Sequence, residues 1–427
     1  MKSILVLFLF FFPFTSQIIV PKSQTFSFLI QGVFQGLLEG NRINFLDVGI
    51  HNSPFSLCIC SPASNVHHMT LAIRLDTRIV WEANRGTPIH NNSTLTLAEE
   101  GNFILAESNG DVVWQTYTSN KGVVDLKLLS NGNLVLLNKK GEFAWQSFDH
   151  PTDTILVDQS LLPGEHHRLI SRTSPSDNRN GPYSLVLEGK RLVLYYQGKH
   201  SKTPEIYSKM KSVFTRMESL LKHFSKVTLR SDFDYEFELY LNMMFASDSR
   251  SINPIVAQPN INTTYSFLQL GHDGNVRFYT YNDKVNRSPW NLVFVIFYPS
   301  KYVESECQLP EKCGQFGICE NNRCVACPTP HGLKVWSKEC APPKLNLCDG
   351  GSNVSYYKLV GVDHFSSNFA GNAPVKFDEC KKKCTKDCSC LGFFYREVSS
   401  TCLVTSQLNT LSRISNATHL AFIKMAM

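Results

Sequence analysis

The sequence lacks the features of several broad protein classes. Charged residues make up only 18% of its 427 residues and the net charge is +6, so it resembles neither a disordered polyelectrolyte nor a strongly basic nucleic-acid-binding protein. No apolar run reaches the ~18 residues that a membrane-spanning helix needs. We therefore expect a folded protein with no membrane span and no nucleic-acid partner.

Motifs of common catalytic sites are also absent. There is no His-Glu-x-x-His, no Gly-x-Ser-x-Gly, no phosphate-binding Gly-rich loop and no kinase motif set. Asp149, His150 and Asp153 lie close enough for acid–base chemistry, but structural hydrogen bonding is the favoured interpretation. We expect no enzyme activity, no cofactor and no metal site; a wall-modifying hydrolase is kept as an alternative.

Cysteine is missing from residues 61–306 and concentrated after them. Twelve of the fourteen cysteines lie between Cys307 and Cys402, and the other two are Cys58 and Cys60. This density is typical of disulfide-stabilised modules in an oxidising compartment, with zinc binding as the alternative in a reducing one. We expect Cys58 and Cys60 to be buried thiols, with an intermolecular disulfide as the alternative.

The N-terminus predicts export. Lys2 precedes an apolar run over residues 4–12, so residues 1–24 are predicted to be a signal peptide. The C-terminus carries no lipid-anchor signal, and we expect a protein released into the extracellular space or cell wall. Six glycosylation sequons agree with this, at Asn91, Asn92, Asn262, Asn286, Asn353 and Asn416.

A 31-residue repeat organises the first part of the chain. Each copy has a Leu-x-Leu strand, a Gly-Asn turn and a Trp-Gln strand, at residues 95–97, 101–102 and 114–115 and again at 126–128, 132–133 and 145–146. A fainter copy ends at Trp81. Alternating apolar residues and glycine turns predict hairpins, and three copies predict a pseudo-threefold β-prism. Trp81, Trp114 and Trp145 would form its structural core, with sugar stacking as the alternative.

The rest of the chain predicts a second β region and a cysteine-rich tail. Residues 183–196 and 267–279 repeat the hairpin pattern, while Lys209 to Lys226 is compatible with a helix. In the tail, Cys380 and Cys384 are spaced to share one helix face. Lys381-Lys382-Lys383 is expected to be a solvated face.

Particular stretches resemble a known family. Residues 145–154, Trp-Gln-Ser-Phe-Asp-His-Pro-Thr-Asp-Thr, resemble the signature of bulb-type (monocot mannose-binding) lectin domains. Residues 72–86 and 357–365 resemble the epidermis-specific secreted glycoproteins of plants, and the module order resembles S-locus glycoproteins and the ectodomains of S-receptor-like kinases. The resemblance implies a mainly β fold: lectin domains of the β-prism II type over 25–160 and 161–300, an EGF-like module over 301–341 and a PAN/apple α+β module over 342–427.

The resemblance also implies a disulfide map, since six cysteines alone permit fifteen pairings. The implied pairs are Cys307–Cys319, Cys313–Cys324, Cys327–Cys340, Cys380–Cys402 and Cys384–Cys390, which leaves Cys348 and Cys388 to pair.

The sugar sites of the family place Gln, Asp, Asn, Val and Tyr at alternating positions of a hairpin. Here the Gln is absent from every candidate hairpin and the Tyr occurs once, so we expect degenerate sites. Retention for folding is the alternative role of the matching residues, which are Glu100, Asn102, Asn131, Asn133, Val135, Asp273, Asn275 and Tyr279.

The resemblance implies a secreted, glycosylated, non-enzymatic protein with lectin-like domains. Its expected ligands are glycans or cell-wall polysaccharide. The alternative is a soluble mimic of a receptor ectodomain that binds S-receptor-like kinases through the PAN module.

Overall fold

A computed structural model describes the chain over most of its length. The described residues are 19–31, 34–40, 42–62, 64–164, 167–199, 201, 203–210, 223–232, 238–247, 250–258, 265–285, 289–298, 304–342, 354–371 and 373–426. Several predictions fall outside these ranges: residues 1–18 of the signal peptide, residues 211–222 of the possible helix, the sequons at Asn262, Asn286 and Asn353, and Cys348.

The first β-prism is built from three antiparallel sheets. Its strands are β1 Phe26–Leu29, β2 Gly36–Leu38, β3 Ile43–Asn52, β4 Phe55–Pro62, β5 Thr70–Leu75, β6 Arg78–Glu82, β7 Thr94–Leu97, β8 Phe103–Ala106, β9 Val112–Gln115, β10 Val123–Leu128, β11 Leu134–Asn138 and β12 Phe143–Gln146. The sheet orders are β2-β3-β4-β5-β6, β1-β7-β8-β9 and β10-β11-β12.

The alternation in the repeat positions the first core. Leu95, Leu97, Phe103 and Leu105 are fully buried, and each pairs across the hairpin of β7 and β8 with another of the four. Gly132, in the turn between β10 and β11, has a φ of +85°, and a Cβ there would lie 2.6 Å from the ring of Phe55. Glycine is therefore required at this turn both by backbone conformation and by space.

The second β-prism has the same three-sheet plan. Its strands are β13 Thr154–Leu156, β14 Ser160–Leu161, β15 Leu169–Ser174, β16 Asp177–Glu188, β17 Arg191–Tyr196, β18 Glu205–Ser208, β19 Phe224–Asp232, β20 Glu238–Phe245, β21 Ser251–Ile252, β22 Ile255–Ala257, β23 Tyr265–Leu270, β24 Val276–Tyr281 and β25 Trp290–Val295. The sheet orders are β15-β16-β17-β18, β14-β19-β20-β21 with β22 on β20, and β13-β23-β24-β25. Phe224 to Lys226, at the end of the possible helix, belongs to β19.

One sheet of the second prism packs against the first prism. Phe267, Tyr279 and Trp290, on strands β23 to β25, join the apolar cluster of the first core. Beside this contact the guanidinium of Arg172 lies 3.1 Å from Glu39 Oε2 and 3.2 Å from Asp153 Oδ2. The two prisms are therefore joined by aromatic packing and by buried ion pairs.

The tail forms an EGF-like module and a PAN/apple module that share a sheet. The elements are β26 Phe316–Glu320, β27 Arg323–Thr329, β28 Gly332–Val335, β29 Val354–Val360, β30 Val362–His364, α1 Phe377–Lys386, β31 Gly392–Arg396, β32 Thr401–Thr405, β33 Asn409–Arg413 and β34 His419–Ala426. The sheets are β28-β27-β26-β33-β30 and β29-β34-β31-β32, and β26 runs parallel to β33. Within the described ranges, no helix is both long enough and apolar enough to cross a bilayer.

The disulfides of the tail have the pairing that the family resemblance implies. With both cysteines in the described ranges, the bonds are Cys307–Cys319, Cys313–Cys324, Cys327–Cys340, Cys380–Cys402 and Cys384–Cys390. Cys388 is also disulfide-bonded. On β4, Cys58 and Cys60 are buried free thiols whose sulfur atoms lie 2.8 Å apart. Cys58 and Cys60 are two residues apart on this strand and therefore point to the same face of the sheet, as expected from strand geometry.

Candidate functional site

The three candidate hairpins each carry an asparagine directly after the turn glycine. Asn102, Asn133 and Asn275 are 4%, 3% and 1% exposed, and they lie on three different sheets. The structure thus separates the candidate residues into three groups, one for each hairpin, and does not bring them into one pocket.

The amide of Asn133 is used inside the protein. Its Nδ2 donates to Gln146 Oε1 at 2.8 Å, while its Oδ1 accepts from Ser147 Oγ and from the backbone N–H of Phe148, both at 3.2 Å. These bonds tie the β10–β11 turn to the chain that leaves β12. Asn131 and Val135 flank this network: Asn131 Oδ1 accepts from the Asn133 N–H, and Val135 is fully buried.

Asn102 repeats this network one hairpin earlier. Its Nδ2 donates to Gln115 Oε1 at 2.7 Å, and its Oδ1 accepts from the N–H of Thr118 at 3.1 Å. Nearby Glu100 is half-buried, and its backbone oxygen accepts from the N–H of Asn120. The same amide geometry in two repeats indicates a latch that holds each hairpin against its third strand.

In the second prism, the latch residue is Asn275. Its Nδ2 donates to the backbone oxygen of Phe297 at 2.8 Å, and its Oδ1 accepts from the N–H of Phe297 at 3.1 Å. Both polar atoms of the amide are therefore satisfied by protein groups.

Asp273 is neutralised by its neighbour on β24. Arg277 Nη1 donates to Asp273 Oδ1 at 2.8 Å, and Nη2 donates to Oδ2 at 2.5 Å. Burial opposes ionisation, but the bonds from Arg277 outweigh it and hold the pKa of the Asp273 carboxyl below its ordinary value. This carboxylate already has a bidentate partner.

Tyr279 is covered from the first prism. The guanidinium carbon of Arg78 lies 4.4 Å from the centre of the Tyr279 ring and 5.2 Å from that of Trp290. Phe267 packs beside Tyr279 with ring centroids 5.1 Å apart. The turn that precedes Arg78 is held in place as well, because Trp290 Nε1 donates to Asp76 Oδ2. Arg78 therefore occupies the face of this ring on which a sugar would otherwise stack.

Arg277 and Arg78 were not assigned a role by sequence reasoning. The first left a signal, because Asp273 in the turn and Arg277 on β24 carry opposite charges only four residues apart in the sequence. The second left none, because the contact of Arg78 with Tyr279 depends on how the two prisms pack.

The three tryptophans meet at one end of the first prism. The ring centroids lie 6.0 Å apart for Trp81 and Trp114, 6.1 Å for Trp81 and Trp145, and 5.7 Å for Trp114 and Trp145. All three pairs are edge-to-face, the favoured geometry for packed aromatic rings. Trp81 Nε1 donates to the backbone oxygen of His150 at 2.8 Å, which fixes the chain after β12.

The residues considered for acid–base chemistry are engaged in the fold. Asp153 is 2% exposed and ion-paired with Arg172, and Asp149 Oδ1 accepts from Gln146 Nε2. His150 stacks on Trp145 with a centroid distance of 5.4 Å, and burial lowers the pKa of its ring in spite of the charge of Asp149. Among the described residues, no group of three or more His, Cys, Asp or Glu could hold a metal ion.

Comparison with known proteins decides the family. EP1-like glycoprotein 3 of Arabidopsis thaliana is 41% identical over 380 residues, which cover 87% of this chain and 84% of that protein. Epidermis-specific secreted glycoprotein EP1 of Daucus carota is 45% identical over 368 residues, which cover 80% and 93%. The chain belongs to the EP1-like glycoprotein family.

Two domain families match parts of this EP1-like glycoprotein. The D-mannose binding lectin family matches residues 78–202, and the PAN-like domain family matches residues 353–409. The lectin match starts in the first prism and ends in the second, so both prisms contribute to it.

The chain is also similar, at lower identity, to a receptor-like kinase and to a solved lectin structure. The G-type lectin S-receptor-like serine/threonine-protein kinase SD2-5 of Arabidopsis thaliana is 25% identical over 411 residues, which cover 91% of this chain and 46% of the kinase. Among solved structures, a monomeric monocot mannose-binding lectin from Gastrodia elata is 18% identical and covers 29% of this chain and 96% of that one, with a TM-score of 0.19.

Proposed function

We propose that this protein is a secreted, non-enzymatic glycoprotein of the extracellular space or cell wall, whose lectin-type prisms recognise glycans, although the hairpin sugar sites of the family are degenerate. The observation that carries the degenerate part is the state of Asp273 and Tyr279, which are occupied by Arg277 and Arg78. A hydroxyl-binding site whose polar groups are already paired loses most of its affinity.

Several observations support export. The relatives include a protein named as a secreted glycoprotein, the tail is held by disulfides, and the described sequon residues Asn91, Asn92 and Asn416 are exposed. Val20 is fully buried in the first core, and its N–H donates to the oxygen of Glu99. We therefore expect signal cleavage before Val20, which is earlier than the predicted end at residue 24.

The domain boundaries remain part of this proposal. The sequence predicts a first lectin domain that ends at residue 160, whereas β13, which precedes that point, and β14, which spans it, pair with β23 and β19 of the second prism. This pairing favours a boundary before Thr154. The absence of enzyme activity is proposed as well; a hydrolase that depends on Asp153 would lose turnover in Asp153→Asn, and the buried ion pair of Asp153 with Arg172 favours a structural role instead.

A glycan array probed with the secreted protein tests the proposal. We expect binding to at least one plant-type glycan, and we expect Asn131→Ala and Asp273→Asn to leave that binding unchanged. If no glycan on the array is bound, the recognition function is wrong. If binding disappears in the two hairpin variants, the sites are functional and the degenerate part is wrong.

The second candidate is a soluble mimic of a receptor ectodomain. The alignment with the kinase SD2-5, which covers 91% of this chain but only 46% of the kinase, favours it. Co-purification from extracellular fluid should then recover an S-receptor-like kinase with the full chain and lose it when the exposed residues of α1, Lys381 to Lys383, are changed to Ser. Recovery of no such kinase would rule against this candidate.

A further inference from the structure

An open cleft with a volume of about 640 Å³ lies at the tryptophan end of the first prism. Half-buried Trp114 and Trp145 line it together with Tyr117, Arg85 and Lys121, and the second prism closes one side with Ile170. Its volume falls within the range of about 300–1,000 Å³ that small-molecule sites occupy. We infer that this cleft binds a pyranose ring of a glycan. The inference rests on the proposed glycan recognition and assigns it a location away from the hairpins.

Tyr117 breaks the symmetry of the repeat. It stands three residues after Trp114, and the residues three positions after Trp145 and Trp81 are Phe148 and Asn84. Phe148 packs against the first core and Asn84 is 2% exposed, whereas Tyr117 is 73% exposed. Packing in the prism therefore does not require an exposed aromatic ring at this position.

The backbone holds Tyr117 in a conformation that a tyrosine rarely adopts. Its φ is +56°, in the left-handed region that disfavours side chains with a Cβ. On either side, Thr116 and Thr118 are buried and their hydroxyl oxygens lie 2.6 Å apart, while Thr118 Oγ1 donates to the oxygen of Gly101. Such strain is maintained only where the surroundings fix it, and it is concentrated at functional sites.

Arg85 lines the cleft, and the protein satisfies only part of its guanidinium. Its side chain is 6% exposed; Nε donates to the backbone oxygen of Asn178 and Nη1 to that of Ile170, both at 2.9 Å. The third nitrogen, Nη2, is buried and has no hydrogen-bond partner. A buried donor without an acceptor is unfavourable, so a side-chain shift that turned Nη2 toward the cleft would let a ligand oxygen stabilise it.

These features match the chemistry of a sugar. The C–H face of a pyranose ring stacks on an aromatic ring such as that of Tyr117, and its hydroxyl oxygens accept hydrogen bonds from charged donors such as Arg85 and Lys121. A purely apolar ligand would leave the Arg85 donor unsatisfied, and an isolated anion would make no use of the aromatic rings.

The test measures binding of four probes to the secreted full chain: mannotetraose, xylotetraose, cellotetraose and tetragalacturonic acid. Titration calorimetry gives the affinity, and tryptophan fluorescence reports whether the sugar reaches Trp114 and Trp145. We expect Tyr117→Ala to weaken the affinity for whichever probe binds at least tenfold and to remove the change in tryptophan fluorescence. Tyr117→Phe should keep binding within about threefold, because it retains the ring.

Tyr298→Ala is the matched control, since Tyr298 is an exposed tyrosine outside the cleft. The affinity of the Tyr298→Ala variant for the probe should equal that of the parent protein. Binding that survives Tyr117→Ala would overturn the cleft assignment and leave the proposed glycan recognition standing. A failure of all four probes to bind would overturn the cleft assignment, while the glycan array decides separately on glycan recognition.

Discussion

At the residue scale, one asparagine performs the same task in three hairpins. Asn102, Asn133 and Asn275 each use both atoms of the amide group to tie a turn to the end of the third strand or to the segment that follows it. This position is shared with the sugar sites of the family, so its presence in the sequence does not distinguish a ligand contact from a structural latch. The buried amide bonds support the structural role.

Replacing the latch residue tests this role. Asn133→Ala leaves the N–H of Phe148 and the hydroxyl of Ser147 without their acceptor, and we expect it to lower the free energy of unfolding by about 2 kcal/mol. Chemical denaturation measures the change. Asn131→Ala, two residues earlier and half-buried, should lower it by less than about 1 kcal/mol. Equal losses in the two variants would contradict the latch.

A buried histidine makes stability depend on pH. His364 is 2% exposed and packs between Phe365 and Phe394, with ring centroids at 4.1 and 5.2 Å. Burial lowers the pKa of its ring to about 4, against the opposing charge of Asp363. The unfolded chain takes up the proton near pH 6.5 and the folded chain only near pH 4, so this contribution is complete above about pH 6.5 and declines as the pH falls.

We expect this histidine to account for a loss of about 3 kcal/mol of folding free energy between pH 6.5 and pH 4. His364→Gln should flatten that part of the stability profile, measured by chemical denaturation at several pH values. His67→Gln, which changes an exposed histidine, should leave the profile as it is. A parallel profile for His364→Gln and the parent would disprove the assignment.

At the element scale, the repeat made part of the fold predictable. The hairpins of β7 with β8 and β10 with β11 follow from alternating leucines around a Gly-Asn turn, and the hairpin of β16 with β17 follows from the same pattern. These elements pair locally, so short-range patterning is enough to identify them.

The remaining sheets depend on contacts that no local pattern encodes. Strand β1 pairs with β7 across most of the first prism, and β13 pairs with β23 across most of the second. The five-stranded sheet from β2 to β6 carries only the fainter copy of the repeat, which ends at Trp81 on β6. For the same reason the covering of Tyr279 by Arg78 could not be predicted, whereas the missing glutamines of the sugar sites were visible in the sequence.

At the scale of the whole molecule, a buried arginine joins the two prisms. Arg172, on β15, has a side chain only 7% exposed and lies within 3.5 Å of carboxylate oxygens of Glu39, Glu82 and Asp153. Two of these acidic residues belong to the first prism: Glu39 follows β2, and Glu82 ends β6. The carboxylates raise the pKa of the guanidinium against the opposing effect of its burial.

Two arginine variants distinguish the stability contributed by the interface between the prisms from that of an exposed surface charge. Arg172→Met leaves three carboxylates without their shared counter-charge, and we expect a loss of about 3–5 kcal/mol in unfolding free energy. Arg179→Met removes an exposed arginine of the same prism and should produce no resolvable change. Similar denaturation curves for Arg172→Met and the parent would show that the ion pairs do not hold the prisms together.

The last two strands occupy inner positions of both tail sheets, β33 between β26 and β30 and β34 between β29 and β31. Neither sheet can close until the ribosome has released residues 409–426, although the lectin prisms are already complete by then. A premature stop codon near residue 405 would remove little mass, yet it would delete the centre of two sheets at once. Such a truncated chain should be retained and degraded in the secretory pathway rather than exported with a shortened tail.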